Sequence, residues 1–306
     1  MADQLKPWAS LDRQVEILQE RGLTDADEFR HELSTIGYYR LSGYSYPLRE
    51  LAPRGSERAR LDTFIPEARM RHVVELYDFD EKLRLVVWDA LRKLEICLRV
   101  DVGYVLGEHD PLIHEHIQKY WPSGAMRSRA EKFTQHLKTT ISRSGEDFVK
   151  HYNRDYNGHL PVWVVTEVLE FGQLVTLLSL APFEQRRQIA DKYMVRGDEL
   201  ESWIRTANFV RNICAHHARL WNRQLVIRPL VKYRRTDSVF VPGLASSKMY
   251  AAFTLIAFLL RRGGFTSEIN AISQVLQDFP TSIPAVSITH MGAPSHWSNQ
   301  PIWLNS

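Results

Sequence analysis

One apolar rhythm restricts the fold more than any other feature of the chain. Val73, Leu76, Leu83, Val87, Leu91, Leu94 and Leu98 recur at three-, four- and seven-residue intervals, the spacing that aligns side chains on one face of an α-helix. The same rhythm opens the chain at Leu11, Val15 and Leu18. Strand-like alternation is confined to short pieces, Leu225–Ile227 and Ser238–Val241, each readable as a small hairpin or as irregular chain. The expectation is a mainly α fold. At 44% apolar and 25% charged, the 306 residues have ample material for a core and do not resemble a disordered or collagenous chain.

Helices are predicted over residues 67–106, 128–142, 163–180, 182–193, 198–221 and 247–262, with Pro66 opening the long one, Asn222 ending the fifth and Gly263-Gly264 stopping the last. Pro47 and the stretch 52–60 break the pattern and read as a linker. This divides the chain into an N-terminal helical unit, 1–60, a helical bundle, 61–235, and a C-terminal helix with a surface-wrapping tail, 236–306, marked by Pro280, Pro284, Pro294 and Pro301. The longest apolar run, 251–260, covers about half of a ~30 Å bilayer core, so a buried helix is expected and not a membrane span. The first residues lack the apolar run of a secretory signal. Two cysteines, Cys97 and Cys214, exclude a disulfide framework and a four-cysteine zinc site, and favour a cytoplasmic location.

Charge is unevenly spread. The total of 39 basic and 36 acidic residues gives +3, yet residues 201–235 hold eight basic side chains against Glu201, a local +7 that leaves −4 for the remainder. Such a concentration is the footprint of a phosphate-bearing partner, with a solvated helix face as the plainer alternative. Arg205, Arg219 and Arg223 are the candidate RNA contacts within it.

The same stretch reads Arg211-Asn212-Ile213-Cys214-Ala215-His216-His217-Ala218-Arg219-Leu220-Trp221-Asn222. On a helix, Asn212 and His216 stand one turn apart, about 40° around the axis, so the amide is placed to orient the imidazole. Arg211 stands about 140° from His216, too far to aim both at one phosphate from a single copy. A composite site across a two-fold axis is therefore expected. There a neutral histidine takes the proton from a ribose 2′-hydroxyl and a guanidinium holds the phosphate, which requires RNA as substrate and no metal or other cofactor. His217, about 100° further round, either contacts RNA or caps a core edge. Cys214, His216 and His217 diverge too widely for a metal cluster, and His114 and His116 are expected at the surface. Glu95 and Arg99 form an i, i+4 ion pair worth ~0.2–0.5 kcal/mol. Tyr38, Tyr39, Tyr44 and Tyr46, interleaved with Arg40 and Arg49, have the makeup of either a base-stacking platform or buried packing. No phosphate-binding glycine loop and no nucleophile elbow occurs.

Arg211-Asn212-x-x-x-His216 resembles the signature of the HEPN ribonuclease superfamily. An ordered set extends the likeness: Gly37 to Tyr44, Leu76 to Arg84, Leu94-Glu95-Ile96-x-x-Arg99, Arg211 to Asn222, Met291-Gly292-x-Pro294-x-x-Trp297 and Pro301-x-Trp303. Together these resemble the bacterial Abi-like (AbiD/AbiF) abortive-infection family. The resemblance implies a HEPN-type helical bundle and a toxin-like effector that stops phage propagation by damaging RNA. It implies catalytic roles for Arg211, Asn212 and His216, and a helix carrying Glu95 and Arg99 packed beside the motif helix, where Glu95 orients Arg211 or His216. One motif per chain implies a homodimer, and a toxin-like activity implies a neutralising RNA or protein. Two other readings stay open: a non-cleaving module that holds a small regulatory RNA, and a catalytically silent interaction protein.

Overall fold

The leucine-and-valine stripe forms a helix of 40 residues, Met70–His109, around which the rest of the chain is assembled. The computed structural model describes residues 7–231 and 246–304. The Ser238–Val241 segment and the basic residues Lys232, Arg234 and Arg235 lie outside the described residues. In chain order the helices are α1 (Leu11–Glu20), the single turn α2 (Arg30–Glu32), α3 (Tyr38–Ser45), α4 (Met70–His109), α5 (Gly124–Arg143), α6 (Asp147–Asp155), α7 (Val162–Val168), α8 (Phe171–Leu180), α9 (Phe183–Lys192), α10 (Gly197–Ala215), α11 (Met249–Arg262) and α12 (Thr266–Gln277). Strands β1 (Arg49–Leu51) and β2 (Arg60–Phe64) pair antiparallel. The protein is mainly α.

All seven residues of the predicted stripe are buried, and α3, α7, α10, α11 and α12 pack against α4. Each fully buried leucine there contributes roughly 1.5–3 kcal/mol, which is why the stripe dictates the architecture. Gly103 and Gly107, one turn apart, let α7 lie directly on α4: a Cβ at Gly107 would meet the Trp163 ring at 2.6 Å. One apolar core runs from Val15 in α1 to Trp303 near the end. The proline-bearing tail is anchored in it. Trp297, Ile302 and Trp303 are buried, the Trp303 indole N–H donates to the Tyr250 hydroxyl at 2.8 Å, and Arg261 donates to the Ile302 carbonyl at 2.9 Å.

Several boundaries differ from expectation, each for a local reason. Helix α4 begins at Met70 and not at Pro66, because the Asp25 carboxylate accepts the Met70 and Arg71 N–H groups at 2.6 and 3.2 Å and caps it there. The helix expected over 163–180 is two, α7 and α8, broken at Leu169, whose backbone is extended. Arg99 closes α7 by donating to the Thr166 and Leu169 carbonyls, and Gln173 caps α8 through the Glu170 N–H at 2.9 Å. The stretch 52–60, read as a linker, is the connection between β1 and β2 of an antiparallel hairpin. Near Leu225 the described residues form an isolated bridge, Gln224 to Lys248, and no hairpin. Helices α6 and α12 were not anticipated. The latter buries Ile269, Ile272 and Leu276 against α4 and α11. Among the described residues no helix is long and apolar enough to cross a membrane.

His114 is buried, not at the surface, and its Nδ1 has no hydrogen-bond partner. Burial pushes its imidazole from the ordinary 6.5 down to about 4. A pKa depressed by folding means that the unfolded chain binds the proton more tightly, so stability falls as pH drops through this window. Thermal melts between pH 7 and pH 4 should show that loss, with a contribution from His114 of up to about 1.4 kcal/mol per pH unit. His114→Leu should flatten the profile, and an unchanged profile would show that this histidine does not set acid stability.

Candidate active site

Helix α10 buries Trp203, Ile204, Ala207, Val210, Ile213 and Cys214 on its inner side and carries Arg211, Asn212 and His216 elsewhere. It ends at Ala215, not at Trp221 as expected. His216 is the C-cap and His217 follows with φ 51°, a left-handed conformation. The Ala218 N–H donates to the Ile213 carbonyl at 3.0 Å and the His217 N–H to the Cys214 carbonyl at 3.0 Å, the paired bonds of a Schellman motif. Glycine usually fills this position. Histidine is among the few side chains that tolerate it, so the stop carries no glycine signal. His217 consequently lies off the helical path, and its expected 100° offset does not apply.

Past the turn the chain is fixed by Asp80, which is fully buried in α4. Its carboxylate accepts the backbone N–H groups of Leu220, at 3.1 Å, and Trp221, the Tyr44 hydroxyl at 2.6 Å and the Arg84 guanidinium. Burial pushes this carboxyl upward, and Arg84, Tyr44 and the two amides oppose the shift. Two further arginine contacts tie α3 to the same loop: Arg40 donates to the His217 carbonyl, and Arg219 to the Gly43 carbonyl.

Arg211 turns toward α4. Its Nε lies 3.8 Å from Glu95, its guanidinium carbon sits 5.3 Å from the centre of the Trp88 ring, and it donates to Asn212 Oδ1 at 3.4 Å. Glu95 is itself held by Arg99, the residue that closes α7. A chain of contacts thus runs from the end of α7 through Arg99 and Glu95 to Arg211. The Arg211–Glu95 contact is partly buried and long, at 3.8 Å, so its effect is to aim the guanidinium more than to stabilise the fold. Trp88, Arg92, Glu95, Ile96, Arg99 and Arg211 line a cavity of about 230 Å³. Asn212 therefore contacts Arg211 and not the His216 ring. His216 is exposed at the helix end, and its ring makes no side-chain hydrogen bond among the described residues.

Of the other expected residues, Arg205 pairs with Glu201 at 2.6 Å, Arg223 stands over the Phe209 ring at 5.8 Å, and Arg219 is engaged with Gly43. His116 pairs with Asp110 at 2.6 Å. Burial pushes the Cys214 thiol up to about 12, which keeps it closed as a nucleophile or ligand. Among the described residues no three His, Cys, Asp or Glu side chains are grouped to hold a metal. Sequence reasoning missed Trp88 and the hub role of Asp80. The i, i+7 spacing of Trp88 and Glu95 on α4 was the one available signal for the first.

A family model described as Abi-like protein matches residues 31–222, well over half of the chain. No curated protein and no solved structure matches.

Removing one partner of a buried, hydrogen-bonded charge pair costs roughly 3–5 kcal/mol. Urea denaturation should accordingly show Asp80→Ala losing about that much stability. Asn212→Ala, at an exposed position, should stay within about 0.5 kcal/mol of wild type. Equal midpoints for the two variants would remove Asp80 from its place as the hub.

Proposed function

The chain belongs to the Abi-like family, and from that premise we propose that it is a metal-independent endoribonuclease of the HEPN type, acting as an abortive-infection effector in phage defence. The observation that carries the reading is the state of the motif at the end of α10. Arg211 is braced on three sides by Glu95, Trp88 and Asn212, while His216 stands exposed one turn away at the cap. A fixed cation and an accessible imidazole are what cleavage through a 2′-hydroxyl requires. His216 takes the 2′-hydroxyl proton, the oxygen attacks the adjacent phosphorus as the bond to the 5′-oxygen breaks, and the departing 5′-oxygen takes a proton from solvent water. The products are a 2′,3′-cyclic phosphate and a 5′-hydroxyl. Arg211 holds the non-bridging oxygens as charge builds on them, and Asn212 and Glu95 set its direction.

The different directions of Arg211 and His216 favour a site completed by a second copy. The surface beside the Arg211 cavity suits such a contact. Ile96, Val100 and Tyr104 follow one another at four-residue spacing along α4, each about half exposed or more, and Trp163 of α7 joins them. Val100, Tyr104 and Trp163 line a groove of about 480 Å³ together with Arg99, and Ile96 lines the Arg211 cavity. A neutralising RNA or protein would act by covering this motif.

Purified protein incubated with total bacterial RNA in EDTA should cut it and leave 2′,3′-cyclic ends. His216→Ala should lose roughly 10²- to 10⁴-fold in rate, the range of general base catalysis. Arg211→Ala should be similarly impaired. Intact RNA with folded wild type would turn the reading toward an RNA-binding module, and equal cutting by wild type and His216→Ala would take the histidine out of the chemistry.

A further inference from the structure

The outer face of α3 is left unexplained by packing and by the cleavage chemistry. Tyr39, Gly43 and Tyr46 occupy positions i, i+4 and i+7, so they line one side of α3 and of the turn that continues it. The tyrosines of this segment divide sharply: Tyr44 is 2% exposed and bonded to Asp80, whereas Tyr39 is 91% and Tyr46 45% exposed. Between the two open rings the backbone is bare at Gly43, and Arg219 fills the gap. Its Nη1 lies 3.5 Å from where a glycine Cβ would stand, and it donates to the Gly43 carbonyl. Positions 39, 43 and 46 succeed one another along the helix at intervals of about one turn, roughly 5–6 Å, with Arg219 lying against the middle one. The Tyr46 ring is flanked by Arg49 and Arg60, each 5.8 Å from its centre. At its other end the row adjoins the motif, since Arg40, next to Tyr39, holds the His217 carbonyl.

A lone exposed tyrosine carries no meaning. Two of them aligned with an arginine between them, bordered by cations and abutting the turn that carries His216, have the composition of a platform for unpaired bases. Bases stack on tyrosine rings and on guanidinium planes alike, and flanking cations neutralise the backbone. We propose that this face of α3 binds single-stranded RNA beside the motif, with successive bases stacked on Tyr39, Arg219 and Tyr46. The inference rests on the ribonuclease reading of that motif, and it makes unpaired RNA the preferred substrate, because bases within a duplex have no free face to offer.

The test is binding without cutting. A short fluorescein-labelled single-stranded RNA of mixed sequence is titrated with full-length His216→Ala protein and followed by fluorescence anisotropy. Adding Tyr39→Ala should weaken binding by roughly 5- to 100-fold, the effect of losing one stacked base, and Tyr39→Trp should restore it. The same RNA annealed to its complement should bind less tightly and be indifferent to Tyr39. An exposed side chain leaves the fold intact, so urea midpoints should not move. Single-strand binding within twofold of the parent in Tyr39→Ala, or equal preference for duplex, overturns the platform. If the platform fails while wild type still cleaves, the nuclease reading stands alone; Tyr39-dependent binding by a protein that never cleaves supports the platform and removes the nuclease.

Discussion

A single buried carboxylate organises the end of this molecule that carries the Arg211-to-His216 motif. Asp80 sits in the first third of α4 with no solvent contact, and it accepts hydrogen bonds from three separate parts of the chain: Tyr44 of α3, Arg84 of α4, and the amides of Leu220 and Trp221. A buried charge is tolerated only when its lone pairs are matched by donors, and here the matching groups come from segments up to 141 positions away. The interaction adds little net stability, but any arrangement that leaves it incomplete is expensive. That asymmetry fixes where the chain goes after α10 and brings α3 against it.

The two side chains proposed for the chemistry are then treated differently. Arg211 points into contacts with α4, and through Glu95 and Arg99 its position is linked to the end of α7. His216 is presented at a helix end whose turn is closed by backbone bonds and held by Arg40 at the His217 carbonyl. An electrostatic stabiliser benefits from a fixed direction, because reorganisation during the reaction costs rate. A general base has to reach a proton on the substrate and is better placed in the open. The same turn carries Arg219 to Gly43, so a single backbone excursion places both His216 and the arginine that lies against α3.

Much of this was legible in the sequence. The stripe from Val73 to Leu98 announced the central helix because burial of one face demands that spacing, and Arg211, Asn212 and His216 stood out as a candidate motif by residue type and spacing alone. The Glu95–Arg99 pair was visible as an ion pair; its link to Arg211 required the packing of α10 on α4. The early end of α10 was hidden because histidine, not glycine, takes the left-handed position. The break at Leu169 was hidden because the carbonyls of α7 are taken by an arginine 67 and 70 positions earlier in the chain. The hairpin escaped notice because its strands are three and five residues long, too short for alternation to show. The tyrosines of α3 could not be sorted into buried and exposed until Asp80 showed which one turns inward.

The most direct test concerns the nucleophile itself. Once a cleavage position is mapped, an RNA oligonucleotide carrying a single 2′-deoxy nucleotide on the 5′ side of that phosphate is incubated with wild-type protein in EDTA. If His216 acts on a 2′-hydroxyl, this one substitution abolishes cutting at the position while binding is retained. Continued cleavage at the substituted phosphate would show that the attacking group comes from elsewhere, and would contradict the assignment of Arg211 and His216.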